Sequence, residues 1–172
     1  MTRSIKLVVG VIIVLTVLVV VFALLNQAYI APKREALDNS IFFLYAGNEK
    51  YTVSMDDVES LPTSDIEANY KKSGQSPESR TYRGVSLKAL VESLGVDASA
   101  YHTVSFTAAD GYASALAIDE AMDDGNCYIV IEMGGEPLGT NEDGGSGPFM
   151  MILAHDTFSQ RWCKFLLEVR LR

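Results

Sequence analysis

The hydrophobic pattern divides the chain into two unlike parts. Residues 7–25, "LVVGVIIVLTVLVVVFALL", carry no charge, and only Gly10 and Thr16 interrupt the large apolar side chains. A helix of that length spans about 28 Å, close to the hydrocarbon thickness of a bilayer, so the pattern predicts one transmembrane helix. Beyond it the apolar residues come in short alternating runs. Residues 41–45, the turn at Ala46-Gly-Asn48 and residues 51–53 predict a β-hairpin. Ser54 with Asp57 three residues on approximates a capping box, and Met55, Val58 and Leu61 follow helical spacing until Pro62. Residues 66–70 alternate as a strand does. The polar stretch 70–85, "YKKSGQSPESRTYRGV", reads as a loop. Ser86 is then an N-cap, Leu87, Leu90, Val91 and Leu94 share one helical face, and Gly95 is a C-terminal stop.

The remainder continues in short strands. Residues 102–108 and 112–118 alternate about the turn Ala109-Asp-Gly111, and 119–122 form a short helix or turn. Residues 127–133, "CYIVIEM", are a strand, Gly134-Gly135 a hairpin turn, and 136–138 its return. A glycine-rich loop, 139–147, leads to strands at 149–153 and 165–171. Six to nine short strands with two or three short helices make a β-rich α+β domain.

Composition changes the picture in three ways. Cutting after Ala31 or Ala28 places Tyr29 or Asn26 three positions back, neither of them small, so residues 7–25 read as an uncleaved signal anchor. Arg3 and Lys6 precede the span in a very short tail, which favours that end inside and the soluble domain outside the cytoplasm, in a single-pass cell-membrane protein. The expected organisation is a cytoplasmic tail at 1–6, the anchor at 7–25, a linker at 26–40 and one domain at 41–172. All 22 acidic residues follow Arg34, against ten of the 14 basic ones, so the soluble part is strongly acidic. That balance argues against nucleic acid and against adhesion to an anionic membrane surface. Cys127 and Cys163 each sit in an apolar run, which leaves open one disulfide or two buried thiols, and no Cys/His cluster suggests structural zinc.

Lys71, Lys72, Arg80 and Arg83 crowd the polar stretch, where such cations either grip an anion or balance an acidic domain from a solvated loop. Asp110 and Tyr112 are turn residues first and ligand contacts second. His155-Asp156 has no nucleophile motif near it, and Asn141-Glu-Asp-Gly144 lacks the ligand spacing of a calcium loop.

Several pieces then appear in a fixed order: "MDDVESLP" at 55–62, "YRGVSLKALVESLGV" at 82–96, "VSFTAADGYASALAIDEA" at 104–121, "YIVIEMGGEPLGTNEDGGSGPFMMIL" from Tyr128, and "SQRWCKFLLEVRL" from Ser159. In this order they resemble the oxidoreductase molybdopterin-binding domain, the fold of the sulfite oxidase family, over roughly residues 41–172. The resemblance implies a mixed β fold and, in the family's enzymes, molybdenum held by a pterin dithiolene and one protein cysteine thiolate. That cysteine belongs in the segment corresponding to 66–83, which contains none. Ser159 and Arg161 resemble a Ser-x-Lys-Trp segment that lies against the phosphate side of the family's cofactor. The cofactor-binding candidates are thus Lys71, Lys72, Arg80, Asp110, Tyr112, Ser159 and Arg161, with no metal ligand and no assigned catalytic residue.

Two functional readings follow. One is a membrane-tethered binding module that keeps the scaffold without molybdenum catalysis and takes a small anionic ligand or a protein partner. The other is a small oxidoreductase that binds molybdopterin with atypical metal ligation and works with a separate redox partner.

Overall fold

A computed structural model describes residues 3–71 and 76–172. The chain divides into two units, Met1–Glu35 and Ala36–Arg172. The first is the bulk of helix α1, Arg3–Asp38. Within it, Val8–Asp38 is long and apolar enough to cross a membrane. The Thr16 hydroxyl donates to the Ile12 carbonyl at 2.9 Å, which satisfies it without a solvent partner. The helix does not stop where the apolar run stops. Most of the expected linker, 26–40, is helical as far as Asp38, across Pro32. Lys33, one turn after Tyr29, bonds its hydroxyl at 2.9 Å and covers its ring, a side-chain pair that supports this turn.

The second unit holds two sheets on one core. β1 (Ile41–Ala46) and β2 (Glu49–Ser54) form the expected hairpin, with Gly47 at positive φ in the turn. α2 (Met55–Glu59) follows, and then β3 (Ser64–Tyr70), β4 (Glu78–Ser86) and α3 (Leu87–Ser93). β5 (Thr103–Ala108) and β6 (Ala113–Ala117) form a second hairpin before α4 (Ile118–Ala121). β7 (Cys127–Met133), β8 (Glu136–Pro137), β9 (Met150–Leu153) and β10 (Leu166–Leu171) complete the chain.

The first sheet runs β2-β1-β10-β5-β6, with β1 and β10 parallel and the other pairs antiparallel. The second runs β3-β4-β7-β8, and β9 shares an edge of β7 with β8, taking its first half. Alternation buries Phe42, Leu44 and Ala46 of β1 and Val104, Phe106 and Ala108 of β5. All four residues of β9 are buried, as its unbroken apolar run implies. Phe149, just before β9, meets Phe42 edge to face at 4.9 Å and ties the sheets together.

One expectation is overturned. The second half of the polar stretch 70–85 is not a loop, since residues 78–86 are strand β4, paired along its length with β3 and then with β7. Its alternation is real but disguised. The positions that face inward carry Arg80, Tyr82 and Gly84, where a strand pattern expects aliphatics. Gly84 is there for a reason: a Cβ would sit 2.2 Å from the Ile129 carbonyl oxygen of β7, at the register shift between Arg83 and Gly84.

Candidate functional site

The register of the β3–β4 hairpin sets the site. Ile66 lies opposite Tyr82, Ala68 opposite Arg80 and Tyr70 opposite Glu78. One face of the hairpin therefore presents Tyr70, Glu78, Arg80 and Tyr82 together. The segment between β9 and β10 closes over that face. A 3-10 turn, Ser159–Arg161, ends at Trp162, and Cys163 exchanges both backbone hydrogen bonds with Met151 of β9, at 2.9 and 3.0 Å. This bridge holds Trp162 and Lys164 in place. The Trp162 ring meets Tyr82 edge-on at 5.4 Å and Tyr70 at 6.3 Å.

Two cations converge on one phenol. Lys164 donates from Nζ to the Tyr70 hydroxyl at 3.1 Å. The Arg80 guanidinium stacks on the Tyr70 ring, 4.5 Å from its centre. Arg80 also donates from Nε and Nη2 to a single oxygen, Oε2 of Glu78, at 3.2 and 2.7 Å, and from Nη1 to the Met133 sulfur at 3.4 Å. The Glu78 carboxylate raises the Arg80 pKa, so Arg80 is a fixed positive charge. Among the described residues no carboxylate lies within ion-pair distance of Lys164, although it is partly buried.

Beside these cations are two buried donors with nothing to donate to. Tyr82 is 1% exposed and Trp162 4%, yet among the described residues neither the Tyr82 hydroxyl nor Trp162 Nε1 finds a hydrogen-bond partner. Native folds leave few such groups. Burial pushes the Tyr82 phenol up to about 12, with the charges of Arg80 and Glu78 and the Tyr70 phenol acting on it. Tyr82 thus stays protonated and remains a donor.

The remaining sequence candidates fall around this cluster in different ways. The Lys71 backbone N–H donates to Ser159 Oγ at 3.1 Å, and Lys71 Nζ lies 4.4 Å from the Phe158 ring centre. Lys71 and Ser159 are therefore brought together directly. Tyr112 donates its hydroxyl to the Gln160 carbonyl at 2.8 Å, while its N–H is bonded by Asp110 within their own turn. Tyr112 and Phe158 are the exposed large hydrophobics of the unit Ala36–Arg172 among the described residues, and both flank this segment. Arg161 is turned elsewhere. It bonds both carboxylate oxygens of Asp156 and, at 2.7 Å, Glu120 of α4, and these partners raise its pKa. Lys72 lies outside the described residues. The sequence reading missed Tyr82, Trp162 and Lys164 as site residues. Reading 78–86 as a strand would have placed Tyr82 on the face shared by Arg80.

The donor set does not suit the metal that the fold implies. No cysteine lies on residues 66–83. Cys127 and Cys163 are free and buried in the core, at 2% and 0% exposure. Burial, and secondarily Asp110, pushes the Cys163 thiol up to about 12, and burial raises Cys127 as well. Among the described residues no group of three or more His, Cys, Asp and Glu is placed to hold a metal ion. What the site offers is hydrogen-bond donors and positive charge, which suit an anion.

Comparison with known proteins gives the same scaffold. The family model for the oxidoreductase molybdopterin binding domain matches residues 45–172. No curated protein matches the chain. Among solved structures, the sulfane dehydrogenase SoxCD from Paracoccus pantotrophus superposes with a TM-score of 0.63 at 14% identity, over 76% of this chain and 37% of that one. At that identity the likeness is one of fold, and this chain spans little more than a third of SoxCD.

Proposed function

The chain belongs to the oxidoreductase molybdopterin-binding domain family, and on that premise we propose that it is a membrane-tethered, extracytoplasmic member that binds a small anion without molybdenum catalysis. α1 is the tether, and the unit Ala36–Arg172 is the binding module. The observation that carries this reading is the chemistry of the hairpin on which the family's thiolate belongs. Tyr70 stands there under Lys164 and Arg80, and no thiol lies on the segment.

The binding role follows from the donors. Lys164 has a phenol and no carboxylate as its direct partner among the described residues. Trp162 Nε1 and the Tyr82 hydroxyl are buried donors without acceptors among the described residues. An anion that reaches these groups gains charge-assisted hydrogen bonds, each worth about 1.5–3 kcal/mol net. The aromatic walls lower the local dielectric and strengthen those bonds. Lys71, held beside Ser159, supplies a further cation at the rim.

The test is metal analysis of the full chain, purified in detergent from a host with active molybdenum-cofactor synthesis, together with an anion titration read by tryptophan fluorescence. Trp162 is the single tryptophan of the chain and lies in the site. The expected result is substoichiometric molybdenum and a saturable response to sulfate. Stoichiometric molybdenum or tungsten with bound pterin would overturn the proposal in favour of an oxidoreductase with unusual metal ligation.

A further inference from the structure

Arg80 is the cation of the site that already has an anion. Its partner Glu78 lies two residues earlier on the same strand face, directly opposite Tyr70. The Glu78 side chain is 65% exposed and stands at the first residue of β4. The pairing is an incomplete use of the guanidinium. Nε and Nη2 both point to one carboxylate oxygen, and Nη1 is left with a thioether sulfur, a weak acceptor. A fork of this kind pairs best with two oxygens of one planar or tetrahedral anion.

We propose that Glu78 is a displaceable internal occupant of the anion site, holding Arg80 until an external anion takes its place. This rests on the anion-binding reading above and specifies its regulation and its ligand class. With Glu78 in place, Arg80 is paired, while Lys164, on the Tyr70 hydroxyl, has no ion-pair partner among the described residues. Once Glu78 turns to solvent, Arg80 and Lys164 present two positive charges around Tyr70, with the Tyr82 O–H and Trp162 N–H as further donors. Every one of these groups donates. The ligand is therefore a compact dianion with acceptor oxygens only, of the sulfate or small dicarboxylate kind. Displacement is inexpensive because the exposed Glu78 carboxylate regains water when it leaves, and ion pairs with an exposed member contribute little.

Sulfate titration of the full chain in detergent, at ionic strength held constant with sodium chloride and followed by Trp162 emission, tests this. Glu78→Gln removes the competing charge and is expected to tighten sulfate binding roughly two- to fivefold. Glu67→Gln is the control. Glu67 is exposed on the opposite face of the same hairpin, so its loss makes an equal change in net charge away from the site. If Glu78→Gln binds sulfate no more tightly than the parent protein, or if Glu67→Gln tightens it equally, Glu78 is not an occupant, and the anion site itself stands. If neither the parent nor Glu78→Gln responds saturably, the anion-binding reading fails as well.

Discussion

Lys164 Nζ bonds the Tyr70 hydroxyl at 3.1 Å, and among the described residues that phenol is its hydrogen-bond partner in place of any carboxylate. A partly buried ammonium matched only by a neutral group contributes little to folding. Replacing it by an apolar side chain of similar length removes one hydrogen bond and one desolvated charge. Lys164→Met is therefore expected to change unfolding free energy by less than about 1.5 kcal/mol. The same substitution should weaken sulfate binding by roughly tenfold or more, because it deletes a charged donor. Urea unfolding and the fluorescence titration together check this. A large stability loss would mean that Lys164 is a structural prop.

Tyr82→Phe separates folding from binding at the same place. Among the described residues the hydroxyl is buried with no partner, so the free protein carries its desolvation cost without return. Its removal should leave stability unchanged or raise it by about 1–3 kcal/mol. Sulfate affinity should fall, since the phenol, pushed up to about 12, is protonated and available as a donor. Greater stability with unchanged affinity would place the hydroxyl outside the site.

Much of this fold is legible in the sequence because its signals are local. The caps Ser54 and Ser86, the Gly134-Gly135 turn, the apolar run of β1 and the alternation of β5 each act over a few residues. β4 is not legible in that way. Arg80 and Gly84 occupy inward positions because of what lies across from them, a phenol ring on β3 and the backbone of β7. The helix past Leu25 is hidden for a different reason. Hydropathy marks where a bilayer ends, and the charged residues 33–35 continue a helix without difficulty. The site is least legible of all. Lys164 reaches Tyr70 across 94 residues, and the carboxylates that occupy Arg161 come from α4 and from the turn after β9. The cations appear in the sequence, but their partners are assigned only by the fold.

The capping box at α2 gives a pH-dependent prediction. The Asp57 N–H donates to Ser54 Oγ at 3.2 Å, and the Ser54 N–H donates to Asp57 Oδ2 at 2.8 Å. Hydrogen bonds from the Ser54 side chain and backbone lower the Asp57 pKa. A carboxyl whose folded pKa is depressed adds stability above its unfolded pKa, near 4, and loses that contribution as pH falls through the folded value. Asp57→Ala should therefore cost about 1 kcal/mol at neutral pH, and the difference from the parent should shrink as pH drops below about 4. Urea unfolding at a series of pH values checks both the size and the direction.

Gly84→Ala tests the contact that orients the site strand. The added methyl would lie 2.2 Å from Ile129 O and 2.5 Å from Val130 Cα, both backbone atoms that no rotamer change relieves. β4 would have to move away from β7, carrying Tyr82, two residues earlier, with it. A loss of about 3 kcal/mol or more is expected, at the upper end of overpacking costs. Trp162 emission should shift as its edge contact with Tyr82 opens. An unchanged spectrum and melting midpoint would mean that the close approach of these strands is wrong.

The placement of the two cysteines bears directly on the metal. Cys127 pairs with Leu153 on one edge of β9, and Cys163 pairs with Met151 on the other. A whole strand therefore separates them, about 9.6 Å across, with a two-residue offset along it. A disulfide requires Cα atoms within about 7 Å, so none forms, whatever the redox state of the compartment. Both thiols are buried and both are pushed up, so neither is a ready thiolate for molybdenum or for an alkylating agent. Mass spectrometry of native protein treated with N-ethylmaleimide should show almost no modification, and denaturation in urea should release two reactive thiols. Cys127→Ala and Cys163→Ala should both retain the sulfate response, since neither side chain belongs to the donor set. Rapid native labelling of either cysteine would mean that a thiol reaches the surface, and the case against thiolate ligation would then fall with it.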